Sequence, residues 1–171
     1  MKKNPIGIFD SGIGGLNVVK KVKSVLKKED IVYFGDTARV PYGTKSKELI
    51  EKFAIDDINF LLKFSPKVII IACHTVSTVA GELLKRKFSS IHIIDVVSPS
   101  VKKASEITKN GKIGVIGTTA TIASGEYERR LKKINKKVSV FSIDCPLFVP
   151  LVEEGLFTSS ATYLIGEYYL K

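Results

Sequence analysis

The run Val68-Ile69-Ile70-Ile71 passes directly into Ala72-Cys73-His74-Thr75. A continuous β-branched run has no polar face to offer water, so it reads as a strand buried on both faces, as strands of parallel sheets are. A helical pattern follows from residue 76 to residue 86. Cys73 therefore stands where a strand meets a helix, at the carboxyl end of a sheet. In open α/β folds that edge is where ligands bind. A thiol there feels the positive end of the helix dipole, which favours thiolate. The same residue also suits a structural role, because free cysteine packs in cores as a small hydrophobe.

The strand-then-helix order recurs along the chain. Ile6-Gly7-Ile8-Phe9 reads as a strand that opens into Asp10-Ser11-Gly12-Ile13-Gly14-Gly15 and a helix over about residues 16–28. Such a turn can hold an anion on backbone N–H groups, although its spacing is neither G-x-G-x-x-G nor a P-loop. A second strand over 31–34 leads into a polar loop, residues 35–44, and a helix over 47–63. Residues 91–95 read as a fourth strand, with His92 in a structural or edge position. Ser98-Pro99 has the form of an N-cap followed by Pro at the first helical position. A fifth strand, 112–116, opens into Gly117-Thr118-Thr119-Ala120-Thr121 and a helix to about residue 134. A sixth strand, 138–143, and a final helix, 158–170, complete the pattern. Strands alternating with helices predict parallel sheet covered by helices on both faces. The expected division is a first α/β domain over 1–97 and a second over 98–171.

Composition narrows the function classes. The net charge is +10, which raises the question of nucleic acid, but Arg occurs only at 39, 86, 129 and 130. The lysines are scattered over helix faces without interleaved aromatics, so neither base reading nor strand binding is expected. Two cysteines and two histidines are too few for a disulfide framework or a zinc site. No run reaches membrane-spanning length, and no signal-peptide apolar region follows the basic start Met1-Lys2-Lys3. A cytoplasmic protein without membrane contact is the expectation.

Five stretches together carry a resemblance: residues 9–16 (FDSGIGGL), 35–43 (GDTARVPYG), 72–75 (ACHT), 117–121 (GTTAT) and 145–155 (CPLFVPLVEEG). In this order and spacing they resemble the cofactor-independent aspartate/glutamate racemase family across essentially the whole chain. The resemblance implies two Rossmann-like parallel-sheet domains facing a cleft. It implies interconversion of L- and D-glutamate without metal, flavin or pyridoxal phosphate, with the D-isomer supplying peptidoglycan synthesis. Cys73 is then the catalytic thiol on one face of the substrate α-carbon. Asp10 orients or helps deprotonate it, and Ser11, Tyr42, Gly43, His74 and Thr75 hold the amino acid's polar ends. Thr118, Thr119 and Thr121 are further carboxylate contacts, and a homodimer is allowed. Thiol chemistry suits the task, since racemisation needs an acid/base group on each face of a carbanion-like state.

Two departures bear on these expectations. The family has Asn where this chain has His74, and imidazole is bulkier and can be charged. Consecutive strand residues point opposite ways, so Cys73 and His74 are not expected to form a nucleophile–base dyad. The family's second catalytic cysteine lies in a Gly-Cys-Thr-His segment that is not in these 171 residues. Cys145 matches a different stretch. On that basis the second domain is expected to be incomplete, and the resemblance does not carry activity over to these residues alone. A racemase for aspartate, and a binding or interaction module that is a remnant or half of a split enzyme, stay open.

Overall fold

The computed structural model describes residues 4–171, and the basic start at Met1–Lys3 lies outside them. The strands pair in two sheets, both parallel. The larger has the order β2-β1-β3-β4, from β1 (Ile6–Asp10), β2 (Ile31–Gly35), β3 (Val68–Ile71) and β4 (His92–Asp95). The smaller joins β5 (Lys112–Gly117) to β6 (Ser139–Asp144) over six residue pairs. The α/β class with parallel sheets is as the sequence predicts.

The period of two along each strand explains the layers. Phe9, Ile69, Ile71 and Ile93 face α2 (Lys47–Leu62), α3 (His74–Val79) and α4 (Gly81–Lys87), packing against Ile50, Ile58, Val76 and Leu84. Ile6, Ile8 and Ile70 face the other way, against Val18, Val19 and Val22 of α1 (Leu16–Val25). Helices thus cover both faces of the larger sheet. The smaller sheet has its own cluster, in which Val115 and Val138 pack against Val97 and Val101 of α5 (Val97–Ile107) and Leu131 of α7 (Glu126–Ile134).

The strand order creates a topological switch point. The chain leaves β1 toward one face and β3 toward the other, and the two strands are neighbours. A crevice opens at their carboxyl ends, as such connections require. His92, on edge strand β4, is exposed.

Several local expectations are corrected. The helix after β1 stops at Val25, three residues early. The helix expected over 76–86 starts at His74 and is two helices, α3 and α4, that meet at Ala80. The helix expected after Thr121 begins at Thr119 and is divided at Gly125, which adopts φ 63° between α6 (Thr119–Ala123) and α7. Ser98 is not the cap of α5: the helix begins at Val97, and Asp95 Oδ1 accepts from both the Ser98 N–H and its hydroxyl. Pro99 still lies in the first turn, where no N–H is needed. A short helix unforeseen from the pattern, α8 (Phe148–Glu153), precedes the final α9 (Ser160–Leu170).

Candidate active site

A cleft of about 560 Å³ lies between the carboxyl ends of the two sheets. Asp10 and Ser11 enter it from the tip of β1, and Cys73, His74 and Thr75 from the tip of β3. Gly117, Thr118 and Thr121 come from the tip of β5 and the start of α6.

Cys73 is the N-cap of α3, not a strand residue, and His74 is the first residue of that helix. The alternation argument made for this pair therefore does not apply, although the two side chains do diverge. The Cys73 sulfur accepts from the Val76 N–H at 3.5 Å and lies 3.4 Å from the Ser11 hydroxyl. The His74 Nδ1 lies 2.6 Å from the Tyr127 hydroxyl of α7, with the two rings stacked. The expected preference for thiolate is also corrected. Burial pushes the Cys73 thiol up to about 11, and the Asp10 charge adds to this. The Ser11 hydroxyl and the Val76 N–H pull the other way and are outweighed. His74, although exposed at the cleft rim, is lowered, chiefly by partial loss of hydration.

Asp10 has a structural task of its own. Its Oδ2 accepts from the Gly12 N–H at 3.0 Å and the Gly15 N–H at 3.2 Å, which closes the turn after β1. Thr75, beside Cys73, forms a triangle of hydroxyls with Thr118 and Thr121, with separations of 2.9–3.2 Å. This triangle joins α3 to α6. Thr119 points elsewhere and donates to Asp144 at 3.0 Å.

Tyr42 and Gly43 do not line this cleft. The Tyr42 ring is buried, and its hydroxyl lies against Asp36 and Asp57. Gly43 sits behind the cleft wall, where a Cβ would overlap the Thr118 side chain.

Tyr127 and Glu153, which the sequence did not single out, line the cleft from α7 and α8, and Cys145, set aside there as a second catalytic thiol, lines it from the end of β6. Glu153 Oε1 accepts from the Ile13 N–H at 3.3 Å and so ties α8 to the turn after β1. The 145–155 stretch contained a signal for Glu153 and Cys145; nothing in the local sequence marks Tyr127. Among the described residues, no group of three or more His, Cys, Asp or Glu is gathered as a metal site. No helix there is long and apolar enough to cross a membrane.

No family model matches the chain. Individual proteins do. The chain is 50% identical over 167 residues to the glutamate racemase of Chlorobaculum tepidum, covering 98% of this chain and 61% of that protein. The crystal structure of glutamate racemase from Francisella tularensis in complex with D-glutamate matches with a TM-score of 0.92 and 44% identity, over 98% of this chain and 62% of that one. The glutamate racemase structure from Campylobacter jejuni matches with a TM-score of 0.91 and 38% identity, over 98% of this chain and 67% of that one.

The chain belongs to the glutamate racemase family.

It spans about three-fifths of the length of the curated glutamate racemases it matches. The match to that family runs through both sheets and all the cleft-lining elements, since it covers nearly the whole chain.

Proposed function

We propose that the cleft binds glutamate and that Cys73 exchanges the proton on one face of its α-carbon without a cofactor. The observation that carries this reading is the placement of the Cys73 sulfur. It lines the cleft beside the Ser11 hydroxyl, and the Asp10 tip and the threonine triangle of Thr75, Thr118 and Thr121 line the same cleft. The Francisella relative, of similar fold, is seen with D-glutamate. In this reading residues 1–97 form one unit and residues 98–171 the other, and the ligand lies between them.

The roles follow from the chemistry of the groups. A bound substrate brings an ammonium group toward Asp10. Its positive charge offsets that of the carboxylate and favours the Cys73 thiolate. The Val76 N–H and Ser11 hydroxyl, already bonded to the sulfur, stabilise the anion. The threonine hydroxyls and the N–H groups at the start of α3 donate to the substrate carboxylate, where charge grows as the α-proton leaves. His74 and Tyr127, paired at the rim, bound the space for the side chain. Gly43 contributes through its pressure on Thr118. Full inversion, which would supply D-glutamate for peptidoglycan synthesis in the cytoplasm, needs a second acid/base group on the opposite face of the α-carbon.

Incubation with D-glutamate or L-glutamate in deuterated water tests this. The expected result is deuterium at the α-carbon of one enantiomer only, with optical purity retained, lost in Cys73→Ala. Exchange that survives Cys73→Ala removes the thiol from the reaction. Aspartate in place of glutamate tests the side-chain preference in the same assay.

A second reading, an interaction module, is favoured by the exposure of Phe141 and Ile143 on β6 and of Tyr163, Leu164 and Tyr168 on α9. Contiguous exposed apolar surface marks interaction sites. Absence of any exchange together with concentration-dependent association would favour it.

A further inference from the structure

Behind the cleft wall lies a buried acidic cluster that the reading above does not use. The loop after β2 carries Asp36, Arg39 and Tyr42; α2 carries Asp56 and Asp57. Asp57 is 0% exposed, Tyr42 1% and Asp36 5%. The Tyr42 hydroxyl lies against Asp36 Oδ2 on one side and 3.1 Å from Asp57 Oδ2 on the other. A phenol has one proton to donate. The closer oxygen, on Asp36, takes it. The remaining approach of two oxygens, closed off from water, is attractive when one carboxyl of the pair carries a proton, and a proton on Asp57 donated to the Tyr42 oxygen satisfies it.

The charged groups around the pair fit this arrangement. Arg39 donates from Nη2 to Asp57 Oδ1 at 2.8 Å and from Nε to Asp36 at 2.5 Å. Its Nη1 reaches the exposed Asp56 at 3.1 Å, and the guanidinium lies over the Phe53 ring. Two buried carboxylates, Asp36 and Asp57, thus face one cation, with the third, Asp56, in solvent; the buried groups carry one excess negative charge, which a single proton relieves. Burial, followed by the charge of Asp36, pushes Asp57 up to about 7, against the opposing pull of Arg39 and the Tyr42 hydroxyl.

Tyr42 is chemically coupled to the cleft through the next residue. Gly43 packs so closely on Thr118 that no side chain fits between them, and Thr118 is a corner of the threonine triangle. We propose that Asp36 and Asp57 are positioning residues: they share one proton, clamp Tyr42 between them, and thereby hold Gly43 against Thr118 at the cleft wall. Removal of that proton to solvent leaves two carboxylates facing each other across a phenol that can serve only one, and the clamp slackens. The consequence for ligand binding rests on the glutamate reading of the cleft; the clamp itself does not.

Nuclear magnetic resonance on the isotope-labelled chain tests both parts. The Asp57 carboxyl carbon is expected to titrate near neutrality, with the Gly43 amide and Thr118 methyl signals following the same curve. In Asp57→Asn the amide N–H donates to the Tyr42 oxygen permanently while the amide oxygen accepts from Arg39, so both signals become independent of pH. In Tyr42→Phe, which keeps the ring and removes the link, they no longer follow Asp57. Titration of Asp57 in the ordinary carboxylate range, or signals from Gly43 and Thr118 that stay fixed through neutral pH, overturns the proposal. D-glutamate affinity is expected to fall about fivefold as pH rises past the Asp57 midpoint in the wild type, and not in Asp57→Asn. Affinity that ignores the midpoint removes the link to the cleft. Absence of D-glutamate binding at every pH, with the titration curves intact, sinks the glutamate reading and leaves the clamp standing.

Discussion

At the scale of single residues, Cys73 shows two effects in competition. A helix dipole stabilises an anion at its N-terminus by about 0.3–1 kcal/mol, and α3 is only six residues long. Withdrawing a thiolate from water costs more, because full burial moves a pKa by as much as about 3–5 units. Burial wins, and the free chain holds a thiol. Alkylation of Cys73, followed by mass spectrometry of its peptide in a Cys145→Ser background, is therefore expected to accelerate about tenfold per pH unit from neutrality upward. A rate that has already levelled at neutral pH would contradict the burial argument. Gly43 offers a second residue-scale test. Gly43→Ala forces a methyl group into the Thr118 side chain. Overpacking of this kind costs about 1–3 kcal/mol, readable as a lower urea midpoint with an unchanged slope.

At the scale of elements, strands were more legible than helix ends. The β-branched runs at 68–71 and 112–116 could be read directly, because two buried faces leave no room for polar residues. The tips of β1, β3 and β5 could be found for the same reason, since each run stops at a cluster of small polar groups. Helix ends depend on partners the local pattern does not contain. Asp95 caps α5 from the end of β4 while also accepting from Lys85 at 2.6 Å and Arg130 at 2.8 Å. Asp95 is only three residues before Ser98, but nothing local marks its remote partners Lys85 and Arg130. Tyr127 and Glu153 reach the cleft only because α7 and α8 pack across it. The Asp95 network makes its own prediction. Burial alone raises Asp95, but hydrogen bonds from Lys85 and the Ser98 N–H, with the charge of Arg130, hold it at about 2. A carboxylate depressed in this way stabilises the fold above its unfolded pKa of about 4, and that stability is lost as pH falls toward about 2. Arg130→Ala is expected to cost on the order of 3 kcal/mol near neutrality and to flatten the acid limb of stability against pH. Urea midpoints across the acid range measure both.

At the scale of the whole molecule, the two sheets are unequally protected. The four-stranded sheet has two core clusters, one on each face, and β1 is buried along its length. The two-stranded sheet has one cluster, and β6 is exposed at five of its six residues. No residue of α9 is buried. Opposing this asymmetry, the Thr75–Thr118 and His74–Tyr127 contacts and the Asp95–Arg130 ion pair tie the two sheets together. If packing within each sheet dominates, native-state hydrogen exchange should separate them: β1 and β3 amides exchange only by global opening, β5 and β6 amides by a cheaper local one, and α9 fastest. If the ties dominate, β5 exchanges with β1. The ties consist of a few polar contacts, each worth about 1 kcal/mol net for neutral groups, whereas one fully buried Leu or Ile contributes about 1.5–3 kcal/mol. The larger sheet holds many such residues and the smaller few, so the separated order is expected. Equal protection of β1 and β6 would show that the molecule unfolds as one unit, and that the ties across the cleft carry more than their chemistry suggests.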